Sequence, residues 1–139
     1  MTAMQDAVTQ IAATVDAITG VTAAAYPPEG TNRPLTALVY PQTGGMAIAS
    51  DGNRHSLWDI NIDLLRTRNN MADDMRTLVG MLDPIKNALA AEVSTGGDQF
   101  SNTLETFLAL RVEFIPDYVY QNVQYICYRF TMVSVKFIE

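Results

Sequence analysis

Histidine, cysteine and tryptophan occur once each in these 139 residues, and only 17% of the chain is charged. The lone Cys127 has no partner for an internal disulfide, and the lone His55 has no second imidazole with which to hold a metal. No G-x-S-x-G nucleophile motif is present. A Cys127–His55 pair would need a long-range coincidence, so Cys127 reads as a small buried residue and His55 as a surface one. Nine basic residues face fifteen acidic ones, for a net charge of -6, without a lysine or arginine run. A nucleic-acid ligand is therefore disfavoured, because such binding draws on a concentrated basic face. No apolar run nears the roughly 18 residues of a membrane span, and the first residues lack the basic-then-apolar order of a secretory signal. The expectation is one soluble cytoplasmic domain spanning residues 1–139, long enough to bury roughly two thirds of its unfolded surface.

What the chain does contain is a legible strand, SLWDINIDLLRTR at residues 56–68. Trp58, Ile60, Ile62 and Leu64 alternate with Asp59, Asn61 and Asp63, as on a pleated sheet with one packed and one wet face. Before it, Met4, Val8, Ile11, Val15 and Ile18 form the stripe of an amphipathic helix that packs on the sheet. Thr2 and Gln5 suit its cap and Gly20 its end. The prolines and glycine of residues 21–34 predict a loop. Residues 35–40 predict a strand, Pro41, Gly44 and Gly45 a turn, and residues 46–49 a second strand. With a further turn at residues 50–53, the three strands would form an antiparallel meander.

Asn70 can cap a second helix, with Asp73 and Asp74 in its first turn. Helical spacing from Met71 to about Val93 is interrupted at Pro84, which predicts a restart or sharp kink there, with Asp83 as the new cap. Residues 94–103 read as a polar loop. Two strands follow, alternating from Leu104 to Phe114 and, after a turn at Pro116 and Asp117, running from Val123 to Ile138. The latter is apolar on both faces, so it lies centrally or meets another subunit. The expected architecture is α+β, a mixed or antiparallel sheet of about five strands packed with two main helices, in the order α-β-β-β-α-β-β.

Candidate chemistry is thin. Asp59, Asn61 and Asp63 open like a calcium loop, since alternate oxygen ligands can converge on a hard cation, yet Leu64 and Asn70 stand where glycine and glutamate are required. A solvated strand face is the simpler reading, and a small metal-dependent enzyme using Asp59 and Asp63 is the remote one. T-G-G at residues 43–45 and S-T-G-G at residues 94–97 lack the lysine of a phosphate loop and read as turns. No catalytic, cofactor or metal residue is expected.

The order of elements, with Y-P-P-E-G at residues 26–30, L-V-Y-P at residues 38–41 and Y-I-C-Y-R-F-T-M-V-S-V at residues 125–135, resembles the tail terminator and related neck proteins of long-tailed bacteriophages. Where family members often carry glycine in the closing strand, this chain has Cys127. The resemblance implies a virion structural protein of the tail or neck, assembled in the host cytoplasm. Such a protein forms a homo-oligomeric ring, a hexamer in this family, on the tail tube protein. It stops tube growth and allows head-tail joining through a connector or head-completion protein. DNA would pass through without specific binding, and no membrane is involved. The alternative within the resemblance is another head-tail connector or head-completion adaptor. Expected contact residues lie in two polar, Gly-containing segments, residues 51–56 (Asp51, Asn53, Arg54, His55) and residues 94–103 (Gly96, Gly97, Asp98, Gln99, Phe100).

Overall fold

The computed structural model describes residues 3–26, 35–48, 54–94 and 97–137. Its helices and strands are α1 (Ala3–Asp16), β1 (Thr22–Ala25), β2 (Leu35–Ile48), β3 (Arg54–Thr67), α2 (Met71–Gly80), α3 (Leu82–Val93), the single turn α4 (Gln99–Asn102), β4 (Leu104–Thr106), β5 (Ala109–Tyr120) and β6 (Val123–Phe137). The fold is α+β: a mixed six-stranded sheet in the order β1-β2-β3-β6-β4, with β5 also paired to β6. Two main helical runs pack on one face. One is α1 and the other is interrupted between α2 and α3.

Amphipathic spacing dictates how α1 docks. Val8, Ile11 and Val15 are buried, and Met4 and Ile18 pack at the margins, so the stripe faces the sheet as its periodicity requires. The main core joins this stripe to Leu78, Ile85 and Leu89 from the second run and to Ile60, Ile62, Leu64, Phe130 and Met132 from the sheet centre. The second run breaks at Met81, which ends α2 and opens α3, and Pro84 falls in the first turn of the new helix. The restart is as expected, but the break comes before Asp83, because a proline ring is tolerated anywhere in a first turn whose amides lack intrahelical acceptors.

Several expectations need correction. Pro41, Gly44 and Gly45 do not turn the chain; β2 runs through them with an irregularity between Pro41 and Gly44. Gly44 is tolerated mid-strand because the Trp58 ring lies where its Cβ would be. β2 and β3 therefore make one long hairpin, and the other neighbour of β3 is β6, not a third meander strand. Residues 22–25, expected in a loop, form β1, which pairs in parallel with β2. Pro116 and Asp117 sit in a bulge inside β5, and the turn to β6 falls at Gln121 and Asn122, whose positive φ values of 53 and 63° fit a tight primed hairpin turn. Residues 94–103 are not a plain loop, since α4 forms within them. Thr2, the prolines of residues 27–34, residues 49–53, Gly96 and Ile138 lie outside the described residues.

Candidate functional site

The reverse face of the sheet, away from the helices, departs most from the pattern read in the sequence. Asp59, Asn61 and Asp63 do share one side of β3, but that side is not wet: Asp63 is 0% exposed, Asn61 is buried and Asp59 is half-buried. A carboxylate without water needs partners, and strand register supplies them. Asp63 lies opposite Arg129 of β6, which in turn lies opposite Glu113 of β5. Arg129 Nε donates to Asp63 Oδ1 at 2.8 Å and Nη2 donates to Oδ2 at 3.1 Å, a bidentate pair. The hydroxyls of Tyr40 and Tyr118 donate to the same Oδ2. One carboxylate thus joins β2, β3, β5 and β6.

This environment suits fixed charge better than proton transfer. Burial and the adjoining Asp63 push the hydroxyls of Tyr40 and Tyr118 up from their ordinary value, and the same influences push the Cys127 thiol up. The hydrogen bond to Asp63 raises Arg129 and holds it cationic. Below the cluster, Leu38, Leu65, Tyr125 and Cys127 form a small second core, so Cys127 is buried as its strand position suggested. Above it, Asn61 accepts the Thr131 hydroxyl at 2.9 Å. Asp59 accepts the backbone N–H of Ser134 at 3.0 Å, tying down a bulge where Ser134 has φ 53°. All three side chains of the supposed metal set, Asp59, Asn61 and Asp63, are thereby committed to the sheet, and the described residues hold no cluster of metal ligands.

Between this cluster and the sheet edge lies a polar depression of about 310 Å³, lined by Gln42, Asp59, Arg111, Val112, Glu113, Arg129 and Thr131. Its outer wall is β5, which among the described residues pairs with β6 along one side only. Arg111 and Glu113 point to the reverse face in register with Thr131 and Arg129, while Leu110, Val112 and Phe114 lie on the helix side. Neither Arg111 nor Glu113 makes a salt bridge among the described residues. Alternation places this strand as one of two that finish the sheet but does not mark it as an edge. The mixed pattern L-R-V-E-F is its only local signal, and strand order is not written in a strand's own residues.

The expected contact residues are not gathered at one place. Asp51, Asn53 and Gly96 lie outside the described residues, and Arg54 and His55 belong to the backbone of β3, beside Ile48 and Ala47 of β2. Gly97 is exposed and donates its N–H to Ser94 O at 2.9 Å. Asp98 caps α4 by accepting from Ser101 N, and Gln99 donates to Glu105 O at 3.1 Å. Its hydrogen bond to Asp98 and burial raise Glu92, whereas the same contact and the Ser101 amide lower Asp98. Glu92 also accepts from the Thr14 hydroxyl, so this junction links α1, α3 and α4. Phe100 is only 1% exposed, and as placed its side chain is part of the core.

A second ion pair sets the entry to α2. Asn70 Oδ1 accepts from Asp73 N, and Asp74 accepts from the amides of Asn69 and Asn70 and from Arg66 Nε at 2.8 Å. Burial alone would raise the Asp74 carboxyl, but Arg66 and the two amides outweigh it and leave it below its ordinary value near 3.8. A carboxyl lowered in the folded state adds stability above its unfolded pKa and loses it as pH falls through the folded value. Asp74→Asn is expected to cost about 1–2 kcal/mol at neutral pH, the size of a helix cap, with the gap to the parent narrowing below about pH 4. Urea midpoints from pH 7 to pH 2 measure this; a gap constant with pH would leave no role for the Asp74 charge.

No protein-family model matches the chain, and no curated protein is similar to it in sequence.

Proposed function

We propose that the chain is a phage structural protein of the tail terminator type, a ring-forming subunit that ends tail-tube growth and presents a surface to the head. The observation that carries this reading is the open edge at each side of the sheet. Among the described residues β5 has a partner only in β6, and β2 runs beyond the four residues covered by β1 at Val39 on to Ile48. Unpaired strand edges template addition of another chain, and a heterologous contact repeated around an axis closes a ring. Partners on this reading are further copies of the chain, the tube protein and a connector, with DNA passing through an acidic ring that repels it. The protein works by shape and self-association, as a non-enzyme without cofactor.

Electron micrographs of lysates from a phage with an early stop codon in this gene test the role. Overlong, unattached tails are expected. Tails of normal length beside filled, tailless heads would move the function to a head-side adaptor, and intact infectious particles would overturn the assembly role.

A further inference from the structure

The edge at β5 has a shape and charge that fit one particular partner, itself. We infer that β5 pairs antiparallel with β5 of a second copy around a two-fold axis through Val112, joining two sheets edge to edge. In an antiparallel pair related by such an axis, residues equidistant from the centre stand opposite one another on the same face. With Val112 at the centre, Arg111 of each copy faces Glu113 of the other. Two opposite-charge cross-strand pairs then form on the reverse face from side chains that have no ion pair among the described residues of the single chain. On the helix side the same register sets Leu110 against Phe114, both half-buried, and Val112, 48% exposed, against its own symmetry mate.

The ends of the stretch agree with that centre. Leu108, 78% exposed, comes opposite Pro116, which has no N–H to give and sits where β5 bulges away from its regular register with β6. Pairing is therefore bounded four residues to either side of Val112, by Leu108 just before β5 and by Pro116 within it. Moving the axis by one residue places Arg111 or Glu113 on the axis, opposite its own copy, where like charges repel. The strand thus favours one register.

A two-fold contact closes at two copies. It covers the β5 edge and leaves the outer edge of β2 open, so on the ring-forming reading it is the resting state that ring assembly has to open. The pairing itself does not depend on that reading.

Sedimentation of the purified full chain tests it. The unaltered protein is expected at twice 15.3 kDa, with the dimer weakening as salt is added. Arg111→Glu and Glu113→Arg each put like charges opposite at two places and are expected to raise the dimer Kd about tenfold or more. The double reversal R111E/E113R restores opposite charges and is expected to return the Kd to near the starting value. Circular dichroism of all three checks that these exposed substitutions leave the fold intact. A parent that stays monomeric, single reversals that dimerise as well as the parent, or a double reversal no tighter than the singles would each overturn the inference. A larger assembly indifferent to both reversals would overturn it too. Tail length in the stop-codon phage is a separate readout, so a failed dimer and a failed assembly role are distinguishable.

Discussion

Replacing Asp63 by alanine is expected to cost about 3–5 kcal/mol, a large part of the roughly 5–15 kcal/mol that holds a domain of this size together. The reason is asymmetry. Arg129 is only 24% exposed along its side chain and is fixed on Asp63 through two nitrogens, so removing the carboxylate strands a cation beside two tyrosine hydroxyls. Taking away both charges is another matter. The double replacement Asp63→Leu with Arg129→Met leaves no charge in the cluster, and it is expected to recover part of the loss, because apolar pairs of similar volume are often as stable as buried ion pairs while the Tyr40 and Tyr118 hydroxyls still lose their acceptor. Urea unfolding of Asp63→Leu, Arg129→Met and the double variant measures the coupling. Additive losses in the double variant would mean that the two residues do not act as a pair.

Phe100→Ala is expected to cost a similar amount, about 3–5 kcal/mol, as for other aromatic deletions in cores. Phe100 is among the largest fully buried side chains and packs with the main core. Its backbone is unusual: Gln99, Phe100, Ser101 and Asn102 all have positive φ, between 53 and 62°. Each such residue carries an inherent cost on the order of 1 kcal/mol, so a turn of four persists only where its surroundings impose it. The ring supplies that constraint, helped by the Thr103 hydroxyl, which donates to Phe100 O at 2.7 Å. Chemical denaturation gives the stability, and limited proteolysis gives the local effect, with faster cutting near residues 97–106 in the variant. A loss under about 1 kcal/mol would show that the ring does not anchor the turn.

Periodicity wrote some of this architecture plainly and left the rest blank. The α1 stripe and the two-faced apolar character of β6 follow from side-chain spacing and the restart before Pro84 from the amide that proline lacks, because each element's own geometry decides them. The reverse face of β3 differs from its sequence pattern for a physical reason. Alternation reports which residues share a face, but whether that face is dry depends on what lies opposite, here Arg129, which is 66 residues away from Asp63. Pro41 and Gly44 signal a turn in isolation, yet Trp58 covers the gap left by the glycine and the strand continues. The left-handed turn at α4 has no glycine among its own four residues, Gln99–Asn102, to announce it. In the candidate site, Arg111 and Glu113 could be assigned to a strand, but not to an edge.

The place of β6 also has a consequence in time. β3 can zip onto β2 as soon as the hairpin exists, but its other side waits for residues 125–136. Closing so long a loop carries an entropic cost before any contact rewards it, and folds built on distant pairings are slow. During synthesis, at about 5–20 residues per second, the β2–β3 hairpin stands for several seconds with one flank bare. In that interval Asp63 has no Arg129, and a carboxylate in the middle of an unclaimed strand discourages pairing with a passing chain. The residue that locks the finished sheet is thus also its guard while the sheet is unfinished.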